Sequence, residues 1–164
     1  MMSDVGINAG LVLDHMGTPA EISAFFALID RYKSKSADGA LDLVTDRLFR
    51  RTVSGEQLDA LEMQLAESQR ILKEVPIAQG FWDEYHLLGD TKKVDRTATN
   101  AAEAFRRVYD SLTTAISMAR NDEQLLGYIR PIYLMAWEGP QCHEHQSMPL
   151  EDFEKPDIRP IWLE

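Results

Sequence analysis

Cysteine is almost absent from this chain. Cys142 is the single thiol in 164 residues, so no disulfide framework can form within it, and such usage fits a reducing, cytoplasmic setting. Long apolar runs are missing as well. No stretch approaches the ~20 residues that a membrane span needs, and the opening MMSDVG has neither the basic start nor the apolar centre of a signal peptide. Positive charge is in short supply, with 17 Lys and Arg against 27 Asp and Glu and a net charge of −10. A nucleic-acid backbone is recognised by clustered cations, so this balance speaks against a nucleic-acid partner. It suits a basic protein partner, which such a field attracts, and equally plain solubility. The sequence also contains no GxGxxG, phosphate-loop, GxSxG or HExxH motif.

What is present reads as α and β elements. Residues 5–13 alternate apolar and small or polar side chains, the pattern of one strand with a buried face, and Gly10 inside it predicts a bulge or a close backbone approach. Gly17 turns the chain into Thr18-Pro19-Ala20-Glu21, a capping box with proline at the first helical position. Ile22, Phe25, Phe26, Ile29 and Tyr32 then repeat at helical spacing. Residues 33–39 are polar and small, a loop. Leu41, Val44 and Leu48 predict a short helix, extended on its apolar side by Phe49. Beside it stand Arg47, Arg50 and Arg51, which either bind an anion or acidic surface or pair with Asp42 and Asp46 as a solvated face.

Ser54-Gly55-Glu56-Gln57 is a second capping box. It opens the longest helix, whose stripe of Leu58, Leu61, Leu65, Leu72 and Val75 is interrupted by Ser68 and whose outer face carries Glu56, Asp59, Glu62, Glu67 and Glu74. About two and a half heptads are too few to favour a dimer seam over packing on the domain's own core. Pro76 stops the helix. Residues 77–88 are dense in aromatics and read as a strand or a wedged loop. Residues 89–99 are polar, a loop and the best candidate for mobility. Asn100 starts a helix of about five turns through Phe105, Val108, Tyr109, Leu112, Ile116 and Ala119, ended by Asn121 and Asp122. Residues 126–137 are rich in β-branched and aromatic side chains and predict a strand, at an edge or broken because of Pro131.

The tail differs in kind. From Glu138 onward it holds four of the seven prolines and seven acids against two bases. Its residues 158–163 echo residues 129–134, IRPIWL against IRPIYL, which suggests two similar segments docked on similar grooves, or chance. The fold expected is a single α+β domain with three main helices packed on a small, mostly antiparallel sheet. Residues 1–137 form its core, and 138–164 form an acidic, Pro-rich extension packed on the same domain.

Three groups of residues carry candidate chemistry. Cys142, His143, Glu144 and His145 are zinc-ligand types, but no second ligand pair at zinc-site spacing accompanies them, and Cys142 lacks the surroundings of a nucleophile. Trp82, Asp83 and Glu84, followed by Tyr85 and His86, join acids to aromatics, as acid–base equipment and protein-binding patches both do; partner contact is the preferred reading. Trp137, Glu151, Asp152 and Glu154, with Trp162, form a second acidic and aromatic group, and aromatic anchors are frequent at interfaces.

The opening VGINAGLVLDHMGTPAEISAFFALID, the run LFRRTVSGEQLDALEMQLAESQRILKEVP, the FWD at Phe81 to Asp83, and TNAAEAFRRVYDSLTTAISMA together resemble the bacterial polymorphic-toxin immunity family numbered seventy. The resemblance covers roughly residues 5–120 and rests on patterned hydrophobicity rather than on catalytic letters; residues beyond Leu126 depart from it. It implies a non-catalytic protein without cofactor that binds and neutralises a cognate toxin C-terminal domain, often one delivered by contact-dependent growth inhibition. A basic nuclease is the toxin type that the acidic charge would suit, and binding would be stoichiometric. The rival readings are a regulatory or scaffold protein with an unrelated partner, and a small metal-dependent hydrolase built on the Cys142 to His145 cluster.

Overall fold

Glu21 sits at the start of the first helix, just after the sheet's second strand, and joins that helix to the loop of residues 89–99. In the computed structural model, which describes residues 3–9, 12–37, 41–137 and 150–163, strands β1 (Asp4–Ala9) and β2 (Val12–Gly17) lead into helix α1 (Pro19–Tyr32). Thr18 and Glu21 cap α1 reciprocally. The Glu21 amide donates to the Thr18 hydroxyl, and the Thr18 amide donates to the Glu21 carboxylate at 2.9 Å. The other Glu21 oxygen accepts the amides of Lys93 and Val94 at 2.5 and 2.7 Å. A fully buried carboxylate therefore ties the loop of residues 89–99 to the start of α1. Lys92 adds an ion pair to Asp4 at 2.7 Å. The loop is irregular, as its composition predicts, but it is anchored at several points along its length.

The sheet has three antiparallel strands in the order β2-β1-β3, with β3 at Tyr133–Trp137. Ile7 of β1 stands opposite Asp14 on one side and Leu134 on the other. The single strand expected over 5–13 is thus two strands, because Ala9 pairs with Val12. Paired residues share a face, so the pairing of Ala9 with Val12 shifts the alternation by one, and the odd positions read as one face over 5–13 fall on different faces in the two strands. The strand expected over 126–137 is shorter than its composition suggests. Helix α6 (Glu123–Leu126) comes first, Gly127 takes a left-handed conformation with φ +82°, and pairing begins only after Pro131, with an isolated bridge from Ile132 to Val53.

Both faces of β1 are covered. Val5, Ile7 and Ala9 join the main core with α1, α2 (Leu58–Lys73) and α5 (Arg106–Asn121). On the other face Tyr133 and Met135 pack with Phe153 of the tail, and the Asn8 amide donates to the Tyr133 hydroxyl at 2.9 Å. Described tail residues 150–163 form two 3₁₀ turns, Leu150–Glu154 and Ile161–Leu163, and act as a strap over the sheet. The echoed hexapeptides therefore take different structures: one runs into β3, the other ends in a 3₁₀ turn.

The short helix expected after residue 41 is a π-helical segment, Leu43–Leu48. The stripe of α2 is buried as its spacing predicts, and it packs into the core of its own chain. Ser68, the interruption, is buried with a partner. Its hydroxyl bonds the Leu65 carbonyl at 2.7 Å and the Tyr109 hydroxyl at 2.9 Å, and burial pushes the Tyr109 phenol well above its ordinary pKa. Residues 77–88, expected as strand or loop, contain one helical turn, α3 (Phe81–Glu84), entered through Gly80 at φ +85°. The helix from Asn100 is broken at Phe105 into α4 (Ala101–Ala104) and α5. The Ala104 carbonyl, which would accept from the next helical turn, instead accepts the Asp95 amide at 3.0 Å. Among the described residues no helix is long and apolar enough to cross a membrane.

Candidate interaction surfaces

The three arginines of the π-helical segment and the residues after it face the strap. Asp46 accepts Arg50 Nε at 2.6 Å and Arg51 Nε at 3.2 Å, which fixes both guanidinium groups. Arg51, 8% exposed, donates to the Phe153 and Lys155 carbonyls at 2.6 and 2.8 Å. Arg50 reaches the Pro156 and Ile158 carbonyls. Arg47 grips the Glu154 carboxylate with both Nη atoms, at 2.8 and 2.6 Å. The contacts of Arg50 and Arg51 to backbone oxygens hold the segment irrespective of its side chains, and the Arg47 fork adds a pair that depends on Glu154. Asp42 is not part of this cluster and accepts Gln64 instead.

The strap should loosen in acid. Burial opposes ionisation of Asp46, yet Arg50 and then Arg51 hold its carboxyl below the ordinary range. The hydrogen bond from Arg47 does the same to Glu154. A depressed folded-state pKa contributes stability that is complete above the unfolded value, near ~4, and is lost as pH falls through the lower folded value. The protection factors of the amides in residues 150–163, taken relative to intrinsic exchange at each pH, should therefore hold from neutral pH to about 4 and fall below it. Equal strap protection on both sides of that window would reject the tether.

The sequence candidates are placed apart. Trp82 is half-buried against Phe81, with the Arg96 guanidinium over its ring at 5.7 Å. Asp83 is exposed and has no ion-pair partner among the described residues. Glu84 is paired with Arg31 at 2.7 Å, and that arginine also donates to the Tyr85 hydroxyl. Trp137 ends β3 half-buried, edge-on to His15, whose Nε2 lies 2.9 Å from Asp4. In the tail Glu151 is exposed, Asp152 pairs with Lys155 at 3.4 Å, and Glu154, though exposed, is held by Arg47. Trp162 is not a surface anchor. It is 1% exposed, packs on Phe26 and Phe49, and donates its indole N–H to the Phe49 carbonyl at 2.8 Å. Among the described residues no hydrogen bond, ion pair or ring contact joins the Trp82 corner to the tail. Cys142, His143, Glu144 and His145 lie outside the described residues. Among those described, no group of three or more His, Cys, Asp or Glu could hold a metal ion.

One surface went unsignalled by the sequence. Residues 54–56, at the start of the longest helical stretch, and residues 123–129 flank an open groove of about 650 Å³. Glu56 and Glu123 line it, Tyr128 is 57% exposed on its wall, and Leu125 of the same segment is 78% exposed. Gly55 packs against Ile129 so closely that a Cβ there would meet the Ile129 Cβ at 2.7 Å, which keeps the floor of the groove shallow. Further along α2, Arg120 pairs with Asp59 and Glu62, while Met63 is exposed. Reading 126–137 as a strand assigns Tyr128 to a ladder. The local signal against that reading is Leu125-Leu126-Gly127 after Asp122: one helical turn closed by a glycine C-cap.

The chain matches no family model, no curated protein and no solved structure.

Proposed function

We propose that this protein is a non-catalytic immunity protein that binds a cognate toxin C-terminal domain stoichiometrically, with a basic nuclease as the toxin type its charge fits. The observation that carries the reading is the groove between residues 54–56 and 123–129, where Glu56, Glu123 and the exposed Tyr128 form the lining and Leu125 of the same segment is exposed. Apolar and aromatic anchors inside a charged rim are the composition of a protein interface. The net charge of −10 would steer a basic partner toward it. The resemblance over residues 5–120 supports the same role. Asp83 beside Trp82, and Glu151 in the tail, offer secondary acidic contacts, whereas Glu84, Asp152 and Glu154 are engaged within the chain.

The test is co-expression with the C-terminal domain of the large secreted protein encoded immediately upstream. A 1:1 complex that rescues growth and weakens with salt is expected. In that complex Glu56→Lys with Glu123→Lys should lower affinity at least ~10-fold, mainly through the association rate, and Tyr128→Ala should act mainly on dissociation. Unchanged affinity in all three substitutions would remove the groove from the interface; failure to bind the neighbouring domain would remove the function.

A further inference from the structure

Most of the arginines in this acidic chain face a carboxylate, as Arg31, Arg47, Arg50, Arg51, Arg70 and Arg120 do. A cavity of about 350 Å³ between the loop of residues 89–99 and the first turn of α5 is the exception. Lys93, Arg96, Arg106 and Arg107 line it, and none of them forms an ion pair among the described residues. Two are held in place by neutral groups. Arg96 donates to the Leu87 and Gly89 carbonyls and lies over Trp82. Arg107 donates to the Lys92 carbonyl at 3.2 Å. Carbonyl oxygens orient a guanidinium without cancelling its charge. The two acids on the same wall are satisfied by their own loop: Asp95 accepts the amide and hydroxyl of Thr97, and Glu103 accepts those of Thr99. The side chains of Lys93 and Arg106 form no hydrogen bond or ion pair among the described residues, Arg106 acting on Asp95 only through space, and both are available to a ligand.

We infer that this cavity is a binding site for a small phosphate-bearing anion of at least two negative charges. Four cations outnumber the Asp95 and Glu103 carboxylates of the lining and the Glu21 carboxylate behind the Lys93 and Val94 amides, which leaves a net positive charge for a phosphate group to neutralise. Preoriented guanidinium groups suit phosphate oxygens, which accept paired N–H donors. The remainder of the surface is acidic and would repel a long polyanion, so a compact ligand is favoured over a nucleic-acid strand. The site lies apart from the groove assigned to the protein partner and does not depend on that assignment.

Calorimetric titration of the full chain with inorganic pyrophosphate at low salt tests this. A Kd on the order of 10–100 μM is expected. Lys93→Glu with Arg106→Glu should weaken binding at least ~10-fold, and Arg106→Gln alone should weaken it less, with thermal unfolding of the ligand-free protein unchanged in both. Neither side chain forms an ion pair among the described residues, Arg106 acts on the Asp95 carboxylate only through space, and the Lys93 amide that bonds Glu21 is retained. Tighter binding of adenosine diphosphate than of pyrophosphate would support the site and identify a nucleotide as the source of the phosphate; equal binding would support the phosphate group itself. No heat at millimolar pyrophosphate, undiminished binding by the double variant, or citrate binding as tightly as pyrophosphate would overturn the proposal.

Discussion

Replacing Glu21 with alanine is expected to lower the stability of this protein by about 3–5 kcal/mol, since it strips the charged acceptor from three amides at once. The Thr18 amide loses its partner at the start of α1, and the Lys93 and Val94 amides lose the carboxylate that anchors their loop. Hydrogen bonds to a buried charge are stronger than neutral ones, and donors left unmatched carry the desolvation cost of the folded state without compensation. The melting temperature should fall by about 10 °C for a chain of this size. Glu21→Gln is the informative companion. Its amide retains one acceptor oxygen but presents an NH₂ to one side of the cage, so a smaller loss is expected, with fast amide exchange confined to residues 89–99. An alanine variant that melts with the parent would show that the loop is held by other contacts.

Trp162→Ala should release the strap. The side chain fills space between Phe26 and Phe49, and its N–H satisfies the Phe49 carbonyl. Truncating a buried tryptophan removes about 3–5 kcal/mol through lost burial and the cavity left behind. Because the strap also depends on Arg47, Arg50, Arg51 and Phe153, the loss should appear as exposure of both the tail and the far face of the sheet, where Tyr133 and Met135 lie under Phe153. Limited proteolysis should cut residues 150–163 in the variant and leave them intact in the parent. Trp162→Phe keeps most of the packing and leaves the Phe49 carbonyl without its donor, at a cost of about 1 kcal/mol. Identical protease resistance in parent and alanine variant would show that the arginines alone hold the tail.

Several features of the fold were legible because their causes are local. Thr18-Pro19-Ala20-Glu21 and Ser54-Gly55-Glu56-Gln57 are capping boxes in the structure because each is closed by side chains three residues apart. The stripes of α1, α2 and α5 are buried where their spacing places them. The α+β class followed from the same periodicities. The candidate surfaces were legible only in part. Asp83 and Glu151 are exposed as a partner contact requires, but Trp162 lies in the core, because no local pattern distinguishes an aromatic that anchors a partner from one that anchors its own tail.

The sequence by itself determined where helices start, which faces turn inward, and that negative charge dominates the surface, since each depends on neighbours within a turn or on simple totals. Tertiary structure alone decided that the opening strand doubles back, that the tail closes the second face of the sheet, and that Glu21 belongs to a loop some seventy residues away. It also decided that Tyr128 stands exposed in a groove lined by Glu56 and Glu123, and that four cations without an ion pair among the described residues gather around one cavity. Those pairings arise from complementarity between distant segments, where a carboxylate finds amides and arginines find carbonyls. Their energy depends on distance and burial in the folded chain rather than on spacing along it.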